Sequence, residues 1–148
     1  VEVGTVSAPP VEKVAETLTR VLEAEDEALV SAYLFGSVAE DRAHRESDVD
    51  VAVLLSRDRL PTARERFERK VRLTGRLGAA LKRSVDVVVL NDSPPGLGRQ
   101  AVTRGVRILC RDGEADHAFV RDVQLRAADL EPFLRRMRQI KLEALANR

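Results

Sequence analysis

Tyr33-Leu34-Phe35-Gly36-Ser37 and, ten residues on, Asp48-Val49-Asp50-Val51-Ala52-Val53-Leu54-Leu55 decide how this chain is read. Two short apolar runs enclose a polar excursion that passes through His44, Arg45 and Glu46. Such runs, broken by glycine, favour strands joined by a loop. Gly36 lets backbone approach a phosphate closely, and Ser37 adds a hydroxyl and an amide donor. Aspartates two apart on a strand point to the same face, so Asp48 and Asp50 are able to grip the same ion. A third carboxylate, Asp86, lies in another apolar run, Val85-Asp86-Val87-Val88-Val89-Leu90, where an unpaired charge would be costly to bury. A phosphate loop beside paired carboxylates is the requirement of nucleotide chemistry. The polyphosphate must be held, and charge on its oxygens neutralised, in known cases by two metal ions roughly 3.5–4 Å apart. Magnesium is satisfied by a few carboxylates plus water and phosphate oxygens.

Outward from this stretch the chain alternates periods. Pro9-Pro10 precedes Val11, Val14, Leu18, Val21 and Leu22, which predicts a helix over about 10–28. Strands are expected over 29–35, 49–55, 85–90 and 106–110. Pro61 opens a long basic helix whose inward face is read as Phe67, Val71, Thr74, Gly78 and Leu81. Ser93 is the candidate cap of a short helix ending at Gly105, expected in the left-handed conformation. Beyond Glu114, residues Phe119, Val123, Leu130, Phe133, Leu134, Met137 and Ile140 mark a helical seam, read as core with an outward remainder for a partner helix. Pro132 is expected to kink or restart that helix. The chain reads as α/β, a small mixed sheet with packed helices. Residues 1–113 form the main domain and 114–148 its helical extension.

Composition excludes other classes. The 148 residues, 44% hydrophobic, suffice for one packed domain. The formal charge of +1 argues against general attraction to nucleic acid or anionic membrane. Charge is segregated, however: residues 1–29 carry seven acids and two bases, and 57–83 carry ten bases and three acids. The basic stretch is read as a solvated helix face. Cys110 has no internal partner and suits a reducing, cytoplasmic setting. No apolar run approaches the roughly 18–20 residues that span a bilayer, and no signal peptide is evident. His44 and His117 lack a spaced partner and are read as surface residues, and Tyr33 as a packing residue.

Leu34-Phe35-Gly36-Ser37, Asp48-Val49-Asp50 and Val85-Asp86-Val87 resemble the minimal nucleotidyltransferases of the DNA polymerase beta superfamily, closely over about residues 30–92. The stretch Val89-Leu90-Asn91-Asp92-Ser93-Pro94-Pro95 and the helical C-terminus resemble its MntA-like antitoxin branch. The resemblance implies a polymerase beta-like fold and a magnesium-dependent protein adenylyltransferase. It would attach AMP from ATP to a tyrosine of a HEPN-domain toxin ribonuclease and form a hetero-oligomer with it. Asp48, Asp50 and Asp86 would be catalytic and bind two Mg2+ ions, with Asp86 helping to deprotonate the tyrosine. Gly36, Ser37, Ser47 and Arg42 would bind the nucleotide. The family commonly continues after Gly-Ser-x-Ala with Arg-Gly, where this chain has Glu40-Asp41. Two alternatives stay open: an antitoxin that acts by steric cover alone, and transfer to a small molecule such as an aminoglycoside.

Overall fold

The computed structural model describes residues 11–39 and 48–147. In chain order its elements are α1 (Val11–Glu23), β1 (Leu29–Phe35), α2 (Gly36–Ala39), β2 (Val49–Leu55), α3 (Ala63–Leu81), β3 (Val85–Val89), a 3-10 turn (Leu90–Asp92), α4 (Pro95–Arg104), β4 (Val106–Cys110) and α5 (Gly113–Ala146). The four strands form one sheet in the order β3-β2-β1-β4. β1 is antiparallel to β2 and β4, whereas β2 and β3, joined through α3, are parallel. This mixed sheet with packed helices is the expected architecture, and the expected strands fall within a residue of the observed ones.

The sheet is covered on both faces. Val14, Leu18 and Leu22 of α1 and Leu73 and Leu77 of α3 pack on Leu34, Val49, Val51, Val53, Val85 and Val87. Each fully buried leucine contributes about 1.5–3 kcal/mol of transfer free energy. On the other face Tyr33, Phe35, Ala52 and Leu54 meet Ala101 of α4, with Phe119 of α5 packed alongside. Gly98 lets α4 and α5 approach, since a Cβ there would stand 2.8 Å from Val123 Cγ2.

Several expectations from sequence are corrected. α1 ends at Glu23 rather than near 28, where Arg111 donates hydrogen bonds to the carbonyls of Glu23, Glu25 and Asp26 at 2.6–2.7 Å. These bonds satisfy carbonyls that a continuing helix would have used. The buried stripe of α3 is Arg66, Leu73 and Leu77, one residue out of phase with the one expected; Phe67 and Val71 are exposed. α3 starts after Thr62, whose hydroxyl accepts from Glu65 N at 3.1 Å. Ser93 does not cap α4: its hydroxyl donates to Val89 O at 2.6 Å, and Pro94 holds the cap position. Gly105 is extended, with φ −79°. Glycine is required there for space, because a Cβ would collide with Ala101 O and stand 2.9 Å from Leu34 O.

α5 runs through Pro132 without restarting. Proline removes one backbone donor there, and Ala128, whose carbonyl loses that partner, is exposed. Only Asp116, Val123 and Ala127 of α5 are buried. Leu130, Phe133, Leu134, Met137 and Ile140 are exposed, so that part of the seam is not core. The N-terminal half of α5 packs on α4 through Phe119 and Val123, and beyond Ala127 its large apolar side chains are exposed.

The basic stretch is not simply solvated either. Arg66 is 4% exposed and forks onto Asp92 at 2.9 and 3.0 Å. Buried Glu25 receives Arg69 at 3.8 Å, Arg72 at 3.1 Å, and Arg76. The acidic start and the basic middle are therefore partners.

Candidate active site

The site grows out of one end of the sheet, where β1 finishes and β2 and β3 begin. Parallel pairing places Asp50 opposite Asp86, and antiparallel pairing places Phe35 opposite Asp50. Alternation along the strand puts Asp50 on the face of Ala52 and Leu54, and Asp86 on the face of Val88. Asp48, two residues before Asp50, extends the same line.

Gly36 follows Phe35 with φ +77°, in the left-handed region that favours glycine. A Cβ on Gly36 would collide with Asp50 Oδ2. The loop backbone therefore lies directly against the central carboxylate. The single turn α2 starts at Gly36, with Ser37 half-buried and Val38 anchored in the core.

Electrostatics mark the same place. Asp50 is half-buried, and burial raises its pKa above the ordinary carboxylate value; repulsion from Asp86 and then Asp48 raises it further. Asp86 itself is exposed, contrary to the expectation that its strand would bury it. β3 is the edge strand of the sheet.

Among the described residues, no three His, Cys, Asp or Glu side chains converge closely enough to hold a metal ion as they stand. The donor chemistry nevertheless fits a hard divalent cation. Three carboxylates share one face, two of them in register, and their mutual repulsion is what a cation would reverse. Gly36, Asp48, Asp50 and Asp86 are thus brought together, with Ser37 adjoining Gly36. Arg42, Ser47, Glu40, Asp41, His44 and Arg45 lie outside the described residues. His117 is exposed on α5. Tyr33 packs within the sheet, and its hydroxyl donates to Asp116 Oδ1 at 2.6 Å. Burial, then this carboxylate, push the Tyr33 phenol well above its usual pKa.

Sequence reasoning missed the cleft beside Asp86. It encloses about 620 Å3 between α3, the β3 edge and the start of α4, and it contains Phe67 and Lys70. Anchoring the α3 stripe on Leu73 and Leu77, rather than on Phe67, would have turned both outward.

A mixed sheet whose carboxylates face a glycine-opened loop defines a nucleotidyltransferase, and a model of the family described as "Polymerase beta, Nucleotidyltransferase" matches residues 16–114. The chain belongs to that family. It is 40% identical over 76 residues to protein adenylyltransferase MntA of Shewanella oneidensis, a match covering 51% of this chain and 50% of the relative. The match thus spans about half the length of that curated relative. A solved toxin-antitoxin structure with AMP-PNP superposes with a TM-score of 0.65 at 26% identity, covering 89% of this chain and 98% of that one. A chain from the complex of tri-AMPylated Shewanella oneidensis HEPN toxin with MNT antitoxin shares the fold, with a TM-score of 0.61 at 24% identity over 92% and 98% of the two chains. No helix among the described residues is long and apolar enough to cross a membrane.

Proposed function

We propose that this chain is an antitoxin that transfers AMP from ATP to a tyrosine of a HEPN-domain toxin. The observation that carries the reading is the line of Asp48, Asp50 and Asp86 beside Gly36. The adenylyltransferase relative and the AMP-PNP-bound neighbour support it.

Gly36 and Ser37 hold the triphosphate, with Ser47 and Arg42 completing the nucleotide contacts. Asp48, Asp50 and Asp86 would hold magnesium. Two bound Mg2+ ions would supply charge neutralisation at the phosphoryl oxygens. The phenolic oxygen bonds to the α-phosphorus, the bond from that phosphorus to the bridging oxygen breaks, and pyrophosphate departs. Asp86 accepts the phenolic proton. Residues 1–113 carry the chemistry, and the 114–148 extension contacts the toxin in a cytoplasmic hetero-oligomer.

Intact mass of the protein encoded beside this chain is the test, after co-expression with wild type or with the Asp48→Asn, Asp50→Asn double variant. One or more AMP units gained only with wild type is expected. A second reading, neutralisation by steric cover, draws on the exposed Phe133, Leu134, Met137 and Ile140 and on Glu40-Asp41. A stable complex without added mass in either co-expression would favour it.

A further inference from the structure

The cleft beside Asp86 adjoins the carboxylates through that residue alone and has no part in the phosphate loop. Its walls include Arg64, Phe67 and Lys70 of α3, Asp86 and Val88 of β3, and Leu97 of α4. Consecutive residues 86–89 of β3 all line it. Neighbouring residues on a strand point to opposite faces, so a wall made of four in succession is the strand's edge. That edge is unpaired among the described residues. It therefore presents backbone donors and acceptors to whatever enters.

The cleft chemistry is mixed in a useful way. Phe67 is 58% exposed, with Lys70 Nζ 5.9 Å from its ring centroid. Arg64 pairs with Glu68 at 3.4 Å, and both side chains are largely solvated, so that pair is readily exchanged. Asp92, also in the wall, is already neutralised by Arg66. Two cations beside an exposed aromatic ring favour an acidic segment bearing an aromatic side chain.

Position across the sheet assigns the cleft its side of the reaction. Gly36 follows β1, Asp50 lies on β2 and Asp86 on β3. A triphosphate at Gly36 and Ser37 sets the leaving pyrophosphate on the β1 side. In-line displacement brings the attacking oxygen from the opposite side. That is the β3 side, where the cleft opens.

Resting on the nucleotidyl-transfer reading above, we propose that the cleft is the acceptor site. An extended, acidic segment of the acceptor protein adds along the β3 edge, as peptides add to open sheets elsewhere. It presents its tyrosine hydroxyl to Asp86, with acidic side chains facing Arg64 and Lys70.

The test is steady-state AMP transfer to the protein encoded beside this chain, using Phe67→Ala, Lys70→Glu and Lys70→Arg, with ATP affinity measured by calorimetry. Phe67 is exposed and Lys70 half-buried on the cleft wall, so a urea midpoint equal to wild type is required of each variant before its kinetics are read. The acceptor KM should rise about tenfold in Phe67→Ala and Lys70→Glu, with kcat within about threefold, ATP affinity unchanged and Lys70→Arg near wild type. An unchanged acceptor KM overturns the proposal. A loss of ATP affinity in the same variants assigns the cleft to the nucleotide and overturns it equally. If wild type transfers no AMP, the catalytic reading fails on its own. Affinity for the acceptor then decides the cleft: about tenfold weaker in the two variants upholds docking, and no change overturns it.

Discussion

Two acidic clusters in this molecule have opposite fates. Glu25, fully buried, is met by Arg69, Arg72 and Arg76 from α3, so its charge is answered inside the fold. Asp48, Asp50 and Asp86 stand together at the sheet end, and burial and mutual repulsion raise the Asp50 pKa. A buried acid that ties the loop after α1 to α3 has its cations built in. Under the function proposed above, acids held near one another against their repulsion would take their cation from outside.

The sharpest way to break the contrast is to remove one charge from the second cluster. Asp50→Asn should lower AMP transfer by about a thousandfold, comparable to losing a key electrostatic element elsewhere, while the urea midpoint holds or rises because repulsion is relieved. Equal losses of activity and stability would erase the distinction. The converse substitution, Glu25→Ala, takes the shared carboxylate from Arg72 and Arg76, while Arg69 keeps Asp26 at 2.9 Å. A buried pair losing one partner typically costs about 3–5 kcal/mol; with Arg72 and Arg76 half exposed, about 2–3 kcal/mol is expected by denaturant unfolding. The surviving folded fraction should transfer AMP normally.

Gly36→Ala tests the contact between loop and carboxylate. It places a side chain in the left-handed region and against Asp50, for a loss of about 1–3 kcal/mol together with reduced transfer. Reduced activity at wild-type stability would mean the loop relaxes without strain. The smallest effect concerns acid pH. Arg69 and the Ala28 amide hold Asp26 below its ordinary pKa, and Arg66 does the same for Asp92. A depressed folded-state value stabilises the protein above the unfolded pKa of about 3.9, and that stability is lost as pH falls through the folded value. Unfolding midpoints should therefore decline below about pH 4, less steeply in Asp92→Asn than in wild type. Both carboxylates are substantially solvated, so the change is modest.

Legibility in the sequence followed locality. The four strands were visible because apolar runs bounded by glycine, proline and polar residues carry their own ends. Asp48 and Asp50 were visible as a pair because strand periodicity is a property of neighbours. The phase of α3 was not, since Phe67 and Leu73 are equally apolar by composition and only packing against β2 and β3 selects between them. α5 misled for the same reason: helical spacing from Leu130 to Ile140 does not say whether anything lies opposite. The burial of Asp86 was misjudged because an edge position is a fact about strand order.

By itself, the sequence determined which segments become strands and helices, that Gly36 opens a loop beside two aspartates, and which family the chain resembles. Those properties reside in short-range sterics and periodicity. Only the tertiary structure decided that Asp86 stands in register with Asp50, that Glu25 gathers the arginines of α3, and that Phe67 and Lys70 face an open cleft. Each of these depends on pairing or packing between residues far apart in the chain. Their energies arise from burial and from opposed charges, which exist only once the sheet has assembled.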